Sequence, residues 1–177
     1  MEREFDTTDI FRNLYADELS HVQLRVRFTL KIQVTTHRTA YIYTPLEEAK
    51  SYGNSGIEGI SWYKDGMVLV GTQVGAYLWA YKLDGTPVWR KCMKTVAIGM
   101  LEIADICYDP VKDQIWIICS ETQSIYLFNG DATEHLATYK VPFAGNSESV
   151  YLDYDNSCLW VADDDDVSEL YRIDLTF

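Results

Sequence analysis

The chain is short of basic side chains. It carries 15 Lys and Arg against 27 Asp and Glu, a formal net charge of −12 at pH 7. Nucleic acids are bound through cationic faces, so this balance argues against a nucleic-acid partner, and it disfavours an anionic membrane surface for the same reason. Long apolar runs are also lacking. The opening residues, Met1-Glu2-Arg3-Glu4-Phe5-Asp6, hold no hydrophobic stretch, and no later stretch is long enough to span a bilayer. The expectation is a chain without a secretory signal or membrane span, cytoplasmic by default. Cysteine is sparse: Cys92, Cys107, Cys119 and Cys158 lie far apart, with no Cys-x-x-Cys spacing for zinc. Buried free thiols are expected, with a Cys107–Cys119 cross-strand pair as the alternative in an exported protein. His21, His37 and His135 show no metal spacing, and neither a Gly-x-Ser-x-Gly elbow nor a phosphate-cradling glycine loop occurs. The usual catalytic signatures are therefore missing.

What the chain does have is aromatic residues, 14% of the total, including 5 Trp and 13 Tyr, which suit strands better than long helices. It also has a repeat. Gly56 to Gly71 reads as two strands joined at Asp65-Gly66, a strong hairpin signal. The pattern returns at Ile103–Cys119 and at Ser147–Ala162, with Glu58, Ala104 and Glu148 in equivalent places, 46 and 44 residues apart. A second landmark, Tyr81, Tyr126 and Tyr171, steps by 45 and 45. A period near 45 residues with several strands per unit marks a β-propeller blade. The expected fold is all-β and propeller-like: about three four-stranded blades behind an N-terminal helix and long strand. As one domain, its divisions are an extension and partial blade at 1–53 and blades at 54–101, 102–144 and 145–177.

The residues of the repeat resemble the SdiA-regulated family of bacterial β-propellers over Asn54 to Phe177, about two thirds of the chain. Glu58-Gly59-Ile60-Ser61-Trp62 is similar to the motif that opens that family's blades, and Glu148-Ser149-Val150-Tyr151-Leu152 is a degenerate copy. Asp105-Ile106-Cys107-Tyr108-Asp109-Pro110 resembles a second family motif. The resemblance implies a propeller that binds or scaffolds. The family's members usually carry about twice as many blades, often behind a signal or anchor, and neither is evident in this sequence.

In chain order, Ile10, Phe11, Leu14, Tyr15 and Leu19 have helical spacing after a capping Asp9. Val22, Leu24, Val26, Phe28, Leu30, Ile32 and Val34 then alternate with polar residues including Arg25, Arg27 and Lys31. This predicts a long strand, straight or bent midway, with one buried face and one basic face. A short strand over 39–43 follows. Blade strands are expected at 57–64, 67–72, 76–83 and 87–94, then at 103–109, 114–120, 123–129 and 135–141, and finally at 148–154, 158–163 and 168–174. The third blade shows three strands where the others show four, and strand 22–34 is expected to supply the fourth or else leave an open arc. An open arc would call for a protein partner or a homo-oligomer.

In a propeller the start of each first strand and the end of each second strand open on one axial face. Thr72, Glu102 and Ser120 fall there, along with the acidic Glu58, Asp105, Glu121, Glu148, Asp163 and Asp164. Oxygen ligands converging on one funnel suit Ca²⁺ or another divalent cation. The competing reading is that these carboxylates bond backbone N–H groups of neighbouring blades and only pin the ring. The run Asp163-Asp164-Asp165-Asp166 reads as a solvated loop and lacks EF-hand spacing. Trp62, Trp79, Trp89, Trp116 and Trp160 are expected as core. The leading functional expectation is a non-enzymatic binding or scaffolding propeller, with a metal-dependent hydrolase of lactonase or phytase-like type as the alternative.

Overall fold

The structure is a computed structural model that describes residues 30–34, 38–42 and 55–175. Strands β1 (Leu30–Val34) and β2 (Arg38–Ile42) form a separate antiparallel hairpin. Three antiparallel sheets follow in chain order. Blade one holds β3 (Ile57–Tyr63), β4 (Met67–Thr72), β5 (Tyr77–Lys82) and β6 (Pro87–Cys92). A single helical turn, α1 (Met93–Val96), leads out of it. Blade two holds β7 (Asp105–Asp109), β8 (Gln114–Cys119), β9 (Ser124–Asn129) and β10 (His135–Lys140). Blade three holds β11 (Ser147–Asp153), β12 (Cys158–Asp163) and β13 (Glu169–Asp174). Each sheet is a meander in which sequential strands are neighbours. The fold is all-β and propeller-like, and its strands fall within a few residues of the expected bounds.

The turns form for local reasons. At Asp65-Gly66 both residues take positive φ, 57° and 69°, which matches the twist of the flanking strands and which Gly adopts without strain. The amide of Gly85 closes the Asp84-Gly85 turn onto the Lys82 carbonyl at 2.9 Å.

Alternation then decides what each blade buries. Leu69 of β4, with Leu78 and Ala80 of β5, packs against Ile106, Ile115, Ile117 and Phe128 of blade two. The intervening residues of blade two, Trp116, Ile118, Ile125 and Leu127, pack against Val150, Leu152, Leu159 and Val161 of blade three. Blade two is thus apolar on both faces and covered on both. Gly71 permits the first contact, because a Cβ there would stand 2.5 Å from the Ile103 side chain. Backbone groups also join the blades at their inner strands. The Tyr108 amide donates to Ser61 Oγ at 3.0 Å, and the Leu152 amide donates to Cys107 Sγ at 3.3 Å. Ser61 and Cys107 are equivalent in the repeat, so one position makes the same latch twice.

Some expectations need correction or fall outside the described residues. The helix expected from Asp9 to Leu19, and residues 22–29 of the long strand, lie outside them. Residues 30–34 pair with β2 and not with blade three, and the short connection makes that local pairing cheap in loop entropy. Trp62 is 59% exposed, whereas core placement was expected. It alternates with Ser61 and Tyr63, which face blade two, so it points the other way. Trp79 and Trp116 are buried as expected, while Trp89 and Trp160 are half-buried. All four cysteines are free, which leaves the Cys107–Cys119 alternative unformed.

The repeat alignment places Ile60, Ile106 and Val150 at one blade position. Ile106 and Val150 are buried and Ile60 is half-buried. Ile106→Ala should therefore lower unfolding free energy by about 2–5 kcal/mol in urea titrations, and Ile60→Ala by clearly less. Equal losses at the two positions would contradict the packing described.

Candidate functional site

The inner strands bring one end of each blade to a shared cavity of about 350 Å³. Its acidic lining comes from Glu58 on β3, Glu102 ahead of β7, Glu121 after β8 and Glu148 on β11. Ala104 also lines it, so the three equivalent repeat positions, 58, 104 and 148, converge. Side-chain amides of Gln73, Gln123 and Asn146 join them.

The carboxylates divide into two kinds. Glu58 and Glu148 face the cavity. Burial raises the Glu58 pKa, and the Glu102 charge adds to it. Burial likewise raises Glu148, followed by the charges of Glu58, Asp164, Glu102 and Asp163. Like charges are thus held near one another at partial burial, a state that a bound cation would relieve. Glu121 is exposed at the cavity edge, and its amide donates to Glu102 Oε1 at 2.9 Å.

Asp105 and Asp163 are engaged elsewhere. Asp105 Oδ2 accepts from the Val150 amide and from Ser149 Oγ, each at 2.9 Å, and so ties blade two to blade three. It is not among the cavity-lining residues. Burial outweighs those bonds and raises its pKa from 3.8 to about 7. Asp163 Oδ1 accepts from the Asn146 amide at 2.8 Å, and Oδ2 accepts from the Gly145 amide at 3.3 Å. Asp164 is exposed, and its amide donates to the Asn146 carbonyl at 3.0 Å. Of the six acidic site candidates, Glu58, Glu121 and Glu148 line the cavity, while Asp105, Asp163 and Asp164 do not. Among the described residues no three His, Cys, Asp or Glu side chains stand close enough together to hold a metal ion.

Sequence reasoning missed the amide-bearing residues. Asn146 is the most connected of them: its Oδ1 accepts from Ser120 Oγ at 3.2 Å and its Nδ2 donates to the Asp164 carbonyl at 3.3 Å. The available signal was its place one residue before β11, in the loop that opens on the axis. Two further residues noted in the sequence, His135 and Thr72, are satisfied locally. His135 Nε2 contacts the Ala137 carbonyl and Thr138 Oγ1 at 2.9 and 2.8 Å. Thr72 is buried, donates to the Val74 carbonyl and accepts from the Tyr77 amide.

Asp105 makes stability depend on pH. Its folded pKa lies above its ordinary 3.8, so the folded state keeps a proton that the unfolded chain releases. Its contribution is therefore fully present below about pH 4 and falls as pH rises towards about 7. Asp105→Asn should flatten that fall while keeping an acceptor for the Val150 amide. Asp105→Ala should cost about 1–3 kcal/mol at pH 4.5, because it strands buried donors, and less at pH 8, where the contribution of Asp105 has fallen. Urea midpoints at pH 4.5, 6 and 8 check both.

No family profile matches the chain, and no curated protein sequence matches it. Solved structures do. A nidogen/laminin complex superposes with a TM-score of 0.55 at 15% identity, over 67% of this chain and 44% of that one. A luciferin-regenerating enzyme gives 0.52 at 15% identity, over 67% and 44%. A streptogramin B lyase gives 0.52 at 18% identity, over 78% and 46%. This chain therefore spans less than half the length of each. At these identities the likeness is one of fold, and it places the chain among β-propeller-like proteins, whose members include both enzymes and binding modules.

Proposed function

We propose that this chain is a non-enzymatic binding or scaffolding propeller module of the SdiA-regulated type, whose axial cavity takes a divalent cation such as Ca²⁺ or a small polar ligand. One observation carries the proposal. Glu58 and Glu148, at equivalent positions of two blades, line the same cavity, and both are held above the ordinary carboxylate range by burial and by neighbouring charge. Carboxylates left in that state gain from a cation, and the amide oxygens of Gln73, Gln123 and Asn146 are hard donors of the kind Ca²⁺ accepts. Among the described lining residues no hydroxyl is seen donating to a carboxylate or an imidazole. Ser120 Oγ is bonded to Asn146, and the described histidine, His135, is not part of the lining. Binding is therefore proposed ahead of catalysis. The family assignment rests on the motifs at Glu58–Trp62, Asp105–Pro110 and Glu148–Leu152.

A ligand that binds only the folded state stabilises it, by about 2.7 kcal/mol at a hundredfold excess over Kd. Millimolar Ca²⁺ should raise the melting temperature, and Glu58→Gln with Glu148→Gln should abolish the rise while leaving the ion-free protein folded. A melting temperature that stays flat across the same Ca²⁺ range would remove the cation from the proposal.

A further inference from the structure

Four carboxylates line the axial cavity, those of Glu58, Glu102, Glu121 and Glu148, and the described residues of that lining include no Lys, Arg or His. Glu102 differs from the other three. It is only 4% exposed. Its Oε1 accepts from the Glu121 amide at 2.9 Å, and among the described residues nothing donates to its other oxygen. A carboxylate buried to this depth is costly unless both oxygens are met, because its hydration has been given up. The cavity that it lines is where the missing donor can stand.

The placing of the acids bears on what kind of cation fits. Glu58 and Glu148 occupy one repeat position, but blade two puts Ala104 there and carries its acid two residues earlier, as Glu102. A ring of three equivalent carboxylates around one point is thereby broken. Among the described residues no three acidic side chains stand close enough together to hold one metal ion, although four reach a single cavity of about 350 Å³. A bare Ca²⁺ gathers its oxygens within about 2.3–2.6 Å of one centre. A cation whose charge sits at two separated points makes no such demand. An ammonium group brings three N–H donors, which carboxylates and amide oxygens accept at ordinary hydrogen-bond length. Gln73 and Gln123 add amide oxygens to the lining, and Ala104 adds an apolar wall for methylene groups. A few placed polar groups beside an apolar wall, in a cavity of this size, is the usual make-up of a small-molecule site.

We infer, resting on the reading of this cavity as the ligand site, that its ligand is a small organic dication: two primary ammonium groups joined by a short methylene chain. Glu102 anchors one ammonium group, and Glu58 and Glu148 face the other. Such a ligand relieves the burial and the neighbouring charge that hold Glu58 and Glu148 above the ordinary carboxylate range. Primary amines keep their protons at neutral pH, as lysine does, so both charges are present when the ligand binds.

Calorimetric titration of the full chain at pH 7 and fixed ionic strength tests the inference, with cadaverine (a linear five-carbon diamine), pentylamine and Ca²⁺ as separate titrants. Cadaverine should bind at least tenfold more tightly than either of the others. Glu102→Gln keeps an acceptor for the Glu121 amide and should weaken cadaverine at least tenfold. Glu134→Gln removes the same charge from an exposed site outside the cavity and should change the affinity less than threefold. Pentylamine binding as tightly as cadaverine overturns the dication, as does a Glu102→Gln effect no larger than that of Glu134→Gln. Ca²⁺ binding more tightly than cadaverine, and lost on Glu58→Gln with Glu148→Gln, overturns the dication and leaves the axial cavity a cation site. Binding of none of the three overturns both. Should Glu102→Gln fail to fold, the ranking of the three titrants on the unsubstituted protein decides.

Discussion

Blade two of this protein is a sheet with two apolar faces, and it cannot bury both alone. That constraint sets the rest of the structure. Blade two is the one whose two faces are both covered by described blades, with Ile106, Ile115 and Ile117 turned to blade one and Trp116 and Ile118 to blade three. Apolar burial does not fix register by itself, since it has no direction. Direction comes from the inner-strand latches, where Ser61, Asp105 and Cys107 each accept a backbone amide of the next blade. A buried amide left without an acceptor is costly, so these bonds favour one alignment of blade upon blade.

The axial cavity follows from the same stacking. Because inner strands begin at the axis, any residue at the first repeat position is delivered there, and Glu58, Ala104 and Glu148 all arrive. Where blade two offers alanine, Glu102 from the preceding loop fills the acidic role. The residue one step further along each inner strand turns to the neighbouring blade, and this separates Asp105 from Glu58 and Glu148. One step in a strand divides a carboxylate that holds the ring from one that faces a ligand.

The same logic distinguishes the edges of the sheets. Blades one and two end in strands that place cations against the strand before them, through Arg90 and Lys140. Blade three ends, among its described residues, in an acidic strand with one bonded neighbour.

The sequence by itself determined the blades, because strand alternation and turn chemistry are local. The period near 45, the Asp65-Gly66 turn and the alternating core residues placed nearly every strand to within two residues. It also determined that carboxylates would gather at one axial end, since the repeat carries them there. The tertiary structure alone decided which carboxylates face the cavity. The repeat sets Asp105 one residue past the position of Glu58 and Glu148, and only blade contact shows that this step turns it to the Val150 amide and away from the axis. It also decided the fate of Trp62, whose parity suits a core that a neighbouring sheet must complete. The amides of Gln73 and Gln123 carried no signal in the chain, and Asn146 carried only its place just before β11, because a loop residue acquires a role only from what folding brings beside it.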